Sequence, residues 1–563
     1  MDFLDKICED LKEKYKIEIN IQDQLYNITD NKEVLAFFDI QLSGNNEYFN
    51  NSTQLISLAH QLVFATLYRP NNTKIYSKIA ELINTKYNEY ASANEDQPTN
   101  QFSLILFNTV CKYLLNIKTF PSISPLIFFL RRLFERNLIV IDQIVTFLHS
   151  AQSNNDHNEI IFMSFVVFAP EIEEFNIDSY DSFYNVVEEL SFAQTSDDEY
   201  QVSDEGSSYH PFRSFITHFC QFQRFDDGEE EEKEVEKWSE LKKCVEEECD
   251  SSFPLLKAVK KDDVDFLQTI ISTNADFDIN QRIPKTVFEP NPNANKNYFL
   301  IEFCCLFGSV KCFKYLLLNH ARLPFMHHIP AIIGGNVEII HILEQIANSN
   351  FQKNEEKKVD AEKTAETVET VENIAYTEFF PEALHYAAIY HQNSIFFWLI
   401  ESKGKNLFEF DFEGKTIVAC AAISNNIEVL IYIIQTGIVK INFADLNYNY
   451  KIEKTPLIYA CENGSFEVCK ILLGQKSIQI NFKNYSPIHA ALSNSHFHII
   501  RLLCERDDID LNVTDNDGST PLHYAILNND TETVKMLLTS KNKQGLYQVE
   551  INRKNRIFFY IFF

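Results

Sequence analysis

The sequence predicts a mostly α-helical protein whose C-terminal half is built from repeats. Apolar residues recur at helical spacing through much of the 563-residue chain, and each such stripe needs a surface to pack on. The 48 Phe and 25 Tyr, against only 13 Gly, suit packed helices better than short strands joined by glycine turns. The stretch 515–538 also recurs upstream in looser copies, which indicates a repeat architecture.

That stretch contains the start and stop signals of two short helices. Asp517-Gly518 is typical of a tight turn, Thr520 can cap a helix, and Pro521 suits its first turn. The text Thr520-Pro521-Leu522-His523-x-Ala525 resembles the ankyrin-repeat signature, whose period is about 33 residues. The resemblance implies a solenoid of helix pairs joined by short β-hairpin fingers.

Earlier copies can be aligned on the proline position of this signature. The aligned anchors are Pro254, Leu300, His327, Ala383, Ile417, Pro456, Pro487 and Pro521. The last five are separated by 34, 39, 31 and 34 residues, close to the family period. The earlier intervals of 46, 27 and 56 residues fit less well; we expect a long finger around 284–297 and a charged insertion at about 350–375. We therefore predict seven to eight repeats over residues 250–552.

The remaining chain divides by composition. Residues 1–170 show repeated helical periodicity and predict an N-terminal all-α helical domain. This domain resembles an uncharacterised helical domain that precedes ankyrin repeats in large protist protein families, which implies no known activity. Residues 171–249 predict an acidic connector with partial helix. The apolar tail 553–563 is expected either to cover the last repeat or to be a truncated repeat.

Charge and cysteine usage narrow the possible partners and compartments. The formal net charge is −30, and residues 171–250 hold 25 acids against six bases. Nucleic acid is therefore not an expected partner, because a phosphate backbone is bound mainly by Lys and Arg. The 12 cysteines lie among apolar neighbours, and neither a signal peptide nor a membrane span is predicted. We expect a protein of the cytoplasm or nucleus.

The histidines of the repeats invite a catalytic or metal-binding interpretation. In ankyrin-like repeats the signature histidine orients the finger by hydrogen bonding, and histidines in separate repeats cannot converge on one ion. The resemblance thus implies structural roles for the signature positions His385, Thr455, Pro456, Gly464, Pro487, His489, Gly518, Thr520, Pro521 and His523.

A zinc site is a second alternative. Its candidate ligands are Cys304, Cys305, Cys312, His320, His327 and His328. Their spacing matches no usual pair of zinc ligands, and the cysteines fall on predicted buried helix faces, which favours core packing. The chain also has no phosphate-binding glycine loop and no Gly-x-Ser-x-Gly or His-Glu-x-x-His motif. We predict a non-enzyme without cofactor, metal or small-molecule substrate.

What remains is a surface for protein recognition. Aromatic residues with a polar end are common anchors at interfaces, although some here could instead seal neighbouring repeats. The candidate partner-binding residues, near the signature histidines and on the fingers, are Tyr386, Tyr390, Phe412, Tyr448, Tyr450, Tyr459, Tyr485 and Tyr524. The sequence favours an interaction scaffold that binds a partner on the concave ankyrin face. Alternatives are a substrate adaptor of a ubiquitin-ligase-type assembly docked through residues 1–170, and a cryptic enzyme in that domain.

Overall fold

The protein is described by a computed structural model, and most of the described residues are helical. The described residues are 12–28, 31–43, 49, 52–94, 98–117, 122–153, 157–193, 239, 241–248, 254–324, 328–349, 382–411, 413–436, 454–475, 477–482, 485–528, 530–540 and 549. Within these ranges extended structure is limited to isolated antiparallel bridges, between Arg282 and Phe299 and between Phe410 and Thr416. The prediction of a mostly α fold with short β-hairpin fingers is confirmed.

Helices α1 to α9 precede the repeats. They are α1 (Lys16–Tyr26), α2 (Asn31–Ser43), α3 (Ser52–Tyr68), α4 (Thr73–Ala93), α5 (Gln101–Ile117), α6 (Ser124–Glu135), α7 (Ile141–Gln152), α8 (Asn158–Phe175) and α9 (Ile177–Ala193). Residues 241–247, near the end of the predicted connector, are also helical. Most of the rest of that connector, the insertion at 350–375 and the tail 553–563 lie outside the described residues.

The repeats contribute pairs of short helices. They are α10 (Pro254–Lys260), α11 (Val264–Thr273), α12 (Leu300–Phe307), α13 (Val310–Leu318), α14 (His328–Gly334), α15 (Ala383–Ile389), α16 (Asn393–Lys403), α17 (Ile417–Ile423), α18 (Ile427–Thr436), α19 (Pro456–Asn463), α20 (Phe466–Leu473), α21 (Pro487–Ser493), α22 (Phe497–Cys504), α23 (Pro521–Leu527) and α24 (Thr531–Thr539). Residues 337–349 form the helix that follows α14.

One backbone turn recurs between the two helices of each pair. The residue eight positions after the anchor has a positive φ in seven repeats: Asp262, Gly308, Gly335, His391, Asn425, Gly464 and Ser495. In seven repeats the next N–H donates to the carbonyl five residues earlier, at 2.9 to 3.1 Å: Asp263, Ser309, Gln392, Asn426, Ser465, His496 and Asp530. These are the bonds that close a helix ending in a left-handed residue. One repeat frame therefore holds from Pro254 to the Pro521 repeat.

Side chains at the same turn link consecutive repeats. Asn426 Nδ2 donates to the carbonyl of Ala388 at 2.9 Å, and His496 Nε2 lies 3.1 Å from the carbonyl of Glu462. In both cases the accepting carbonyl belongs to the end of the preceding repeat's first helix. Because those terminal carbonyls have no partner within their own helix, the following repeat satisfies them.

The contacts divide the chain into two compact units. The end unit joins residues 1–68 to residues 384–563, and the middle unit comprises residues 69–383. This division does not coincide with the predicted boundaries at 170 and 250. The physical reason in the end unit is that α1 and α3 pack against repeats more than 300 residues later in the chain. Hydrophobic periodicity marks an apolar face but does not identify the surface that it meets.

The middle unit is held together by a buried ion pair as well as by apolar packing. Arg132 on α6 donates to Glu248 Oε1 at 2.9 Å and to the carbonyl of Glu246, also at 2.9 Å. Thr73, at the start of α4, donates to the same carboxylate at 3.1 Å. The last part of the predicted connector is therefore anchored to helices of the predicted N-terminal domain.

Candidate protein-binding surfaces

Two surfaces of the end unit lie at opposite ends of the short first helices. We call the turns between the paired helices, residues 390–393, 424–427, 463–466 and 494–497, the turn side. The finger side comprises the described finger residues 404–411, 413–416, 477–482, 485–486 and 505–519. A first helix begins at its finger and ends at its turn, so each end of the helix serves a different surface.

Helix α1 lies against the turn side through a buried glutamine. Gln22, only 6% exposed, donates from Nε2 to the carbonyl of Asn425 at 2.7 Å, and its Oε1 accepts from the N–H of Ile427 at 3.2 Å. Asn425 is the left-handed residue of its turn and Ile427 begins α18. Gln22 thus satisfies two backbone groups that the repeat leaves without an intrahelical partner.

A buried carboxylate extends this contact to α3. Asn425 Nδ2 donates to Glu467 Oε2 at 2.6 Å, and Ser57 of α3 donates to Glu467 Oε1. Glu467 is 2% exposed, and buried polar groups of this kind are costly unless hydrogen-bonded. Hydrogen bonds therefore run without a break from α1 through two repeats to α3.

Aromatic rings complete the contact at the other end of the two N-terminal helices. Tyr26 of α1 stacks on His391, with ring centroids 3.6 Å apart and planes 3° from parallel. Tyr68 of α3 meets Tyr390 edge to face at 6.0 Å and donates to the carbonyl of Ile423 at 3.4 Å. Burial raises the pKa of the Tyr68 hydroxyl well above its ordinary value, so the phenol stays protonated as a donor.

The candidate partner-binding tyrosines fall into different environments. Tyr390 contacts α3, as described above, and Tyr386 stacks on Tyr390 at 6.4 Å. Tyr459 is 6% exposed, with Lys454 Nζ 5.5 Å from its ring centroid. Tyr459 therefore lies mainly within the stack of repeats.

The other described tyrosines are also engaged within the chain. Tyr524 donates to Asp515 Oδ2 at 2.9 Å, and its ring meets His489 edge to face at 5.2 Å. Burial raises the pKa of Tyr485 to about 12. The candidates Phe412, Tyr448 and Tyr450 lie outside the described residues.

The signature histidines connect one repeat to its own cap and to the next finger. His489 has Nδ1 2.9 Å from Ser486 Oγ and Nε2 3.1 Å from the carbonyl of Ser519. His523 Nδ1 lies 2.8 Å from Thr520 Oγ1. The pKa of His489 is lowered, chiefly because burial disfavours the charged imidazole. These histidines are arranged as hydrogen-bonding core residues.

His385 shows what happens where the capping hydroxyl is missing. Its Nε2 lies 3.1 Å from the carbonyl of Glu409, while its buried Nδ1 has no partner within the described part of the chain. The residue before α15 is Glu382, so no Thr or Ser hydroxyl is available at that position. Burial likewise lowers the pKa of His385.

The other signature residues occupy caps and turns. Thr455 Oγ1 accepts from the N–H of Ile458 at 3.4 Å, and Pro456 and Pro487 stand in the first turns of α19 and α21. Gly464 and Gly518 have φ of +77° and +78°, the left-handed region in which glycine avoids a Cβ clash.

The cysteines of the zinc alternative are core residues. Cys304, Cys305 and Cys312 are buried, and burial raises the pKa of each thiol, which opposes formation of the thiolate that binds zinc. Among the described residues no group of three or more His, Cys, Asp or Glu side chains is arranged to hold a metal ion.

The finger side exposes groups that the sequence did not single out. In the finger before α17, Phe408 is 54% exposed and Phe410 is 38% exposed. The Glu413 side chain at the finger tip is 71% exposed. Phe412 was the predicted anchor of this finger, but alternation of side chains along a strand gives its neighbours Phe408 and Phe410 the same expected face.

Comparisons with known proteins agree with the repeat geometry. The family model for ankyrin repeats matches three copies over residues 384–484 and 479–554. This part of the chain contains ankyrin repeats. The match begins at α15 and includes every pair of helices from there to α24.

Individual relatives share only part of their length with this chain. Alpha-latrotoxin-Lh1a of Latrodectus hasselti is 34% identical over 118 residues, which are 20% of this chain and 8% of the toxin. The ankyrin repeat protein FPV034 of Fowlpox virus (strain NVSL) is 39% identical over 100 residues, 17% of this chain and 24% of that protein. FPV223 of the same virus is 28% identical over 125 residues, 22% of this chain and 84% of that protein.

The helices were also assessed for membrane insertion. Across the described ranges no helix combines the length and the apolar character needed to cross a bilayer.

Proposed function

We propose that this chain is a non-enzymatic scaffold that binds a partner protein through the finger side of its ankyrin repeats. The observation that carries the proposal is the unequal use of the two surfaces. The chain's own helices α1 and α3 lie against the turn side, whereas the finger side exposes Phe408, Phe410 and Glu413.

Energetic considerations support this choice of surface. Large aromatic side chains that remain exposed on a folded protein are candidates for burial by a partner, and aromatic residues dominate the energy of many interfaces. The finger that carries them is well ordered: Asp411 Oδ1 accepts from the N–H groups of Glu413 at 2.9 Å and Lys415 at 2.7 Å. A preorganised finger loses little conformational entropy when it binds.

The proposal can be tested by cross-linked affinity capture of the intact chain. The informative variant carries Glu413→Lys and Asp517→Lys, which reverse exposed charges at two finger tips. The matched control carries Glu401→Lys and Glu532→Lys, exposed acids on the second helices α16 and α24. Both variants have the same net charge, and both changes are at the surface, so their unfolding temperatures should match.

We expect the finger variant to lose specifically captured proteins that the control variant retains. Reversal of a rim charge should slow association and weaken binding without unfolding the chain. Retention of the same proteins by both variants would mean that the finger side is not the binding surface.

A further inference from the structure

We infer that the finger before α17 receives an arginine- or lysine-bearing segment of the partner protein, with the cation over the exposed ring of Phe408. This inference rests on the proposed function and names the chemistry of the partner. It is carried by the exposure of one ring, by the charges around it, and by how comparable rings are treated elsewhere in the end unit.

The ring of Phe408 is set apart from the other partly exposed rings of the end unit. Lys403 Nζ lies 5.1 Å from the ring centroid of Trp398, Lys454 Nζ lies 5.5 Å from that of Tyr459, and Arg501 Cζ lies 5.2 Å from that of Phe497. Within the described part of the chain neither a cation nor a second ring lies against Phe408, although it is 54% exposed. The face of this ring is thus open to a cation from outside.

The charge around Phe408 favours such a cation. From Phe408 to Glu413 the sequence contains three carboxylates, on Glu409, Asp411 and Glu413, and no base. The flanking Lys415 is paired with Glu413. Carboxylates beside an aromatic face stabilise a guanidinium or ammonium group through ion pairing in addition to the attraction of the ring.

The geometry of the finger holds the ring and the carboxylates together. Phe410 is bridged to Thr416 across the finger, the N–H of Asp411 donates to the carbonyl of Lys415 at 3.1 Å, and Gly414 has φ of +79°. The N–H of Phe408 donates to Asn406 Oδ1 at 3.0 Å. The backbone on both sides of the exposed ring is therefore fixed before binding.

The finger before α23 provides a natural control. Asp515 there accepts from the N–H groups of Asp517 at 2.9 Å and Ser519 at 2.7 Å, and Gly518 is left-handed, as in the earlier finger. Residues 505–519 contain six acids and one base, so this finger is more acidic, yet it contains no aromatic residue. Attraction by charge alone would favour this finger, whereas recognition by ring and charge together favours the finger of Phe408.

The test uses purified intact chain and two fluorescent peptides. Both peptides alternate leucine with a second residue, which is arginine in one and its neutral isostere citrulline in the other. Fluorescence polarisation would give the Kd of each peptide for the wild type and for the variants Phe408→Ala, Glu413→Gln and Asp517→Asn. Unchanged thermal unfolding would show that these surface substitutions leave the fold intact.

We expect the arginine peptide to bind at least tenfold more tightly than the citrulline peptide. Phe408→Ala should weaken it roughly tenfold, within the range of a desolvated cation–π contact. Glu413→Gln should weaken it less, and Asp517→Asn should leave it within about twofold of the wild type, as expected for a single screened surface charge.

Equal weakening by Phe408→Ala and Asp517→Asn would overturn the inference, because binding would then follow net charge alone. So would equal binding of the two peptides, or no binding of the arginine peptide. Such a result combined with loss of captured proteins in the finger-tip variant would leave the proposed function intact and refute only the chemistry assigned to the partner.

Discussion

Replacing Gln22 with alanine should loosen the N-terminal helices from the repeats. Both polar atoms of the Gln22 amide bond buried backbone groups, the carbonyl of Asn425 and the N–H of Ile427. Truncation leaves both groups without a partner. Each unsatisfied buried group costs about 1–3 kcal/mol, so we expect a loss of roughly 2–4 kcal/mol in the free energy of docking.

Hydrogen exchange is the appropriate assay, because a chain with two compact units need not unfold in one step. The N–H of Ile427 donates directly to Gln22, so peptides spanning 424–430 report on the bond itself. A loss of about 2 kcal/mol corresponds to exchange roughly 30-fold faster. The matched control is Gln24→Ala, which removes the same side chain from a half-buried position on the same helix.

If Gln22→Ala and Gln24→Ala exchange alike at Ile427, the glutamine does not fasten α1 to the turn side. If Gln22→Ala accelerates exchange only across the repeats and leaves residues 16–26 unchanged, the two backbone bonds stabilise the turn but do not hold the helix. Both results would refute the reasoning.

Three further substitutions test packing and electrostatics. Gly334→Ala would place a Cβ 2.3 Å from the carbonyl oxygen of Cys305, so we expect a loss of about 1–3 kcal/mol, seen as a lower urea midpoint; an unchanged midpoint would contradict the close approach. Leu472→Ala, at a fully buried position of α20, should cost roughly 2–5 kcal/mol by the same assay, and wild-type stability would count against its burial. Glu302 has a pKa raised above 4.5 chiefly by burial, so its contribution to stability is lost as the pH rises from 4.5 through the folded-state pKa. Glu302→Gln should therefore gain stability relative to the wild type over that window, and a constant difference from pH 4 to 7 would refute this.

Local features of the repeats could be predicted from the sequence because short-range chemistry determines them. Thr455 caps its helix through a hydroxyl three residues from the bonded N–H, and Gly464 supplies the left-handed residue that ends the same helix. The spacing of the anchors was sufficient to find the turn even where the signature was weak, as at Gly335.

Contacts between distant segments could not be predicted in the same way. Gln22 and Asn425 are 403 residues apart, and nothing in a single amphipathic helix specifies which later turn it meets. The exposure of aromatic residues is also a tertiary property. Tyr459 occupies the position after a signature residue in a repeat but is nearly buried, whereas Phe408, in a less regular finger, is exposed.

The most direct test of the two-surface arrangement uses a photo-reactive benzoylphenylalanine at one position of the intact chain at a time. At His498, whose ring lies 6.3 Å from that of His60, the probe should cross-link within the chain to residues 52–68. At Phe408 the probe should cross-link to a different protein. Capture of a partner from His498, with no intermolecular product from Phe408, would contradict the assignment of the turn side to the chain itself and of the finger side to its partner.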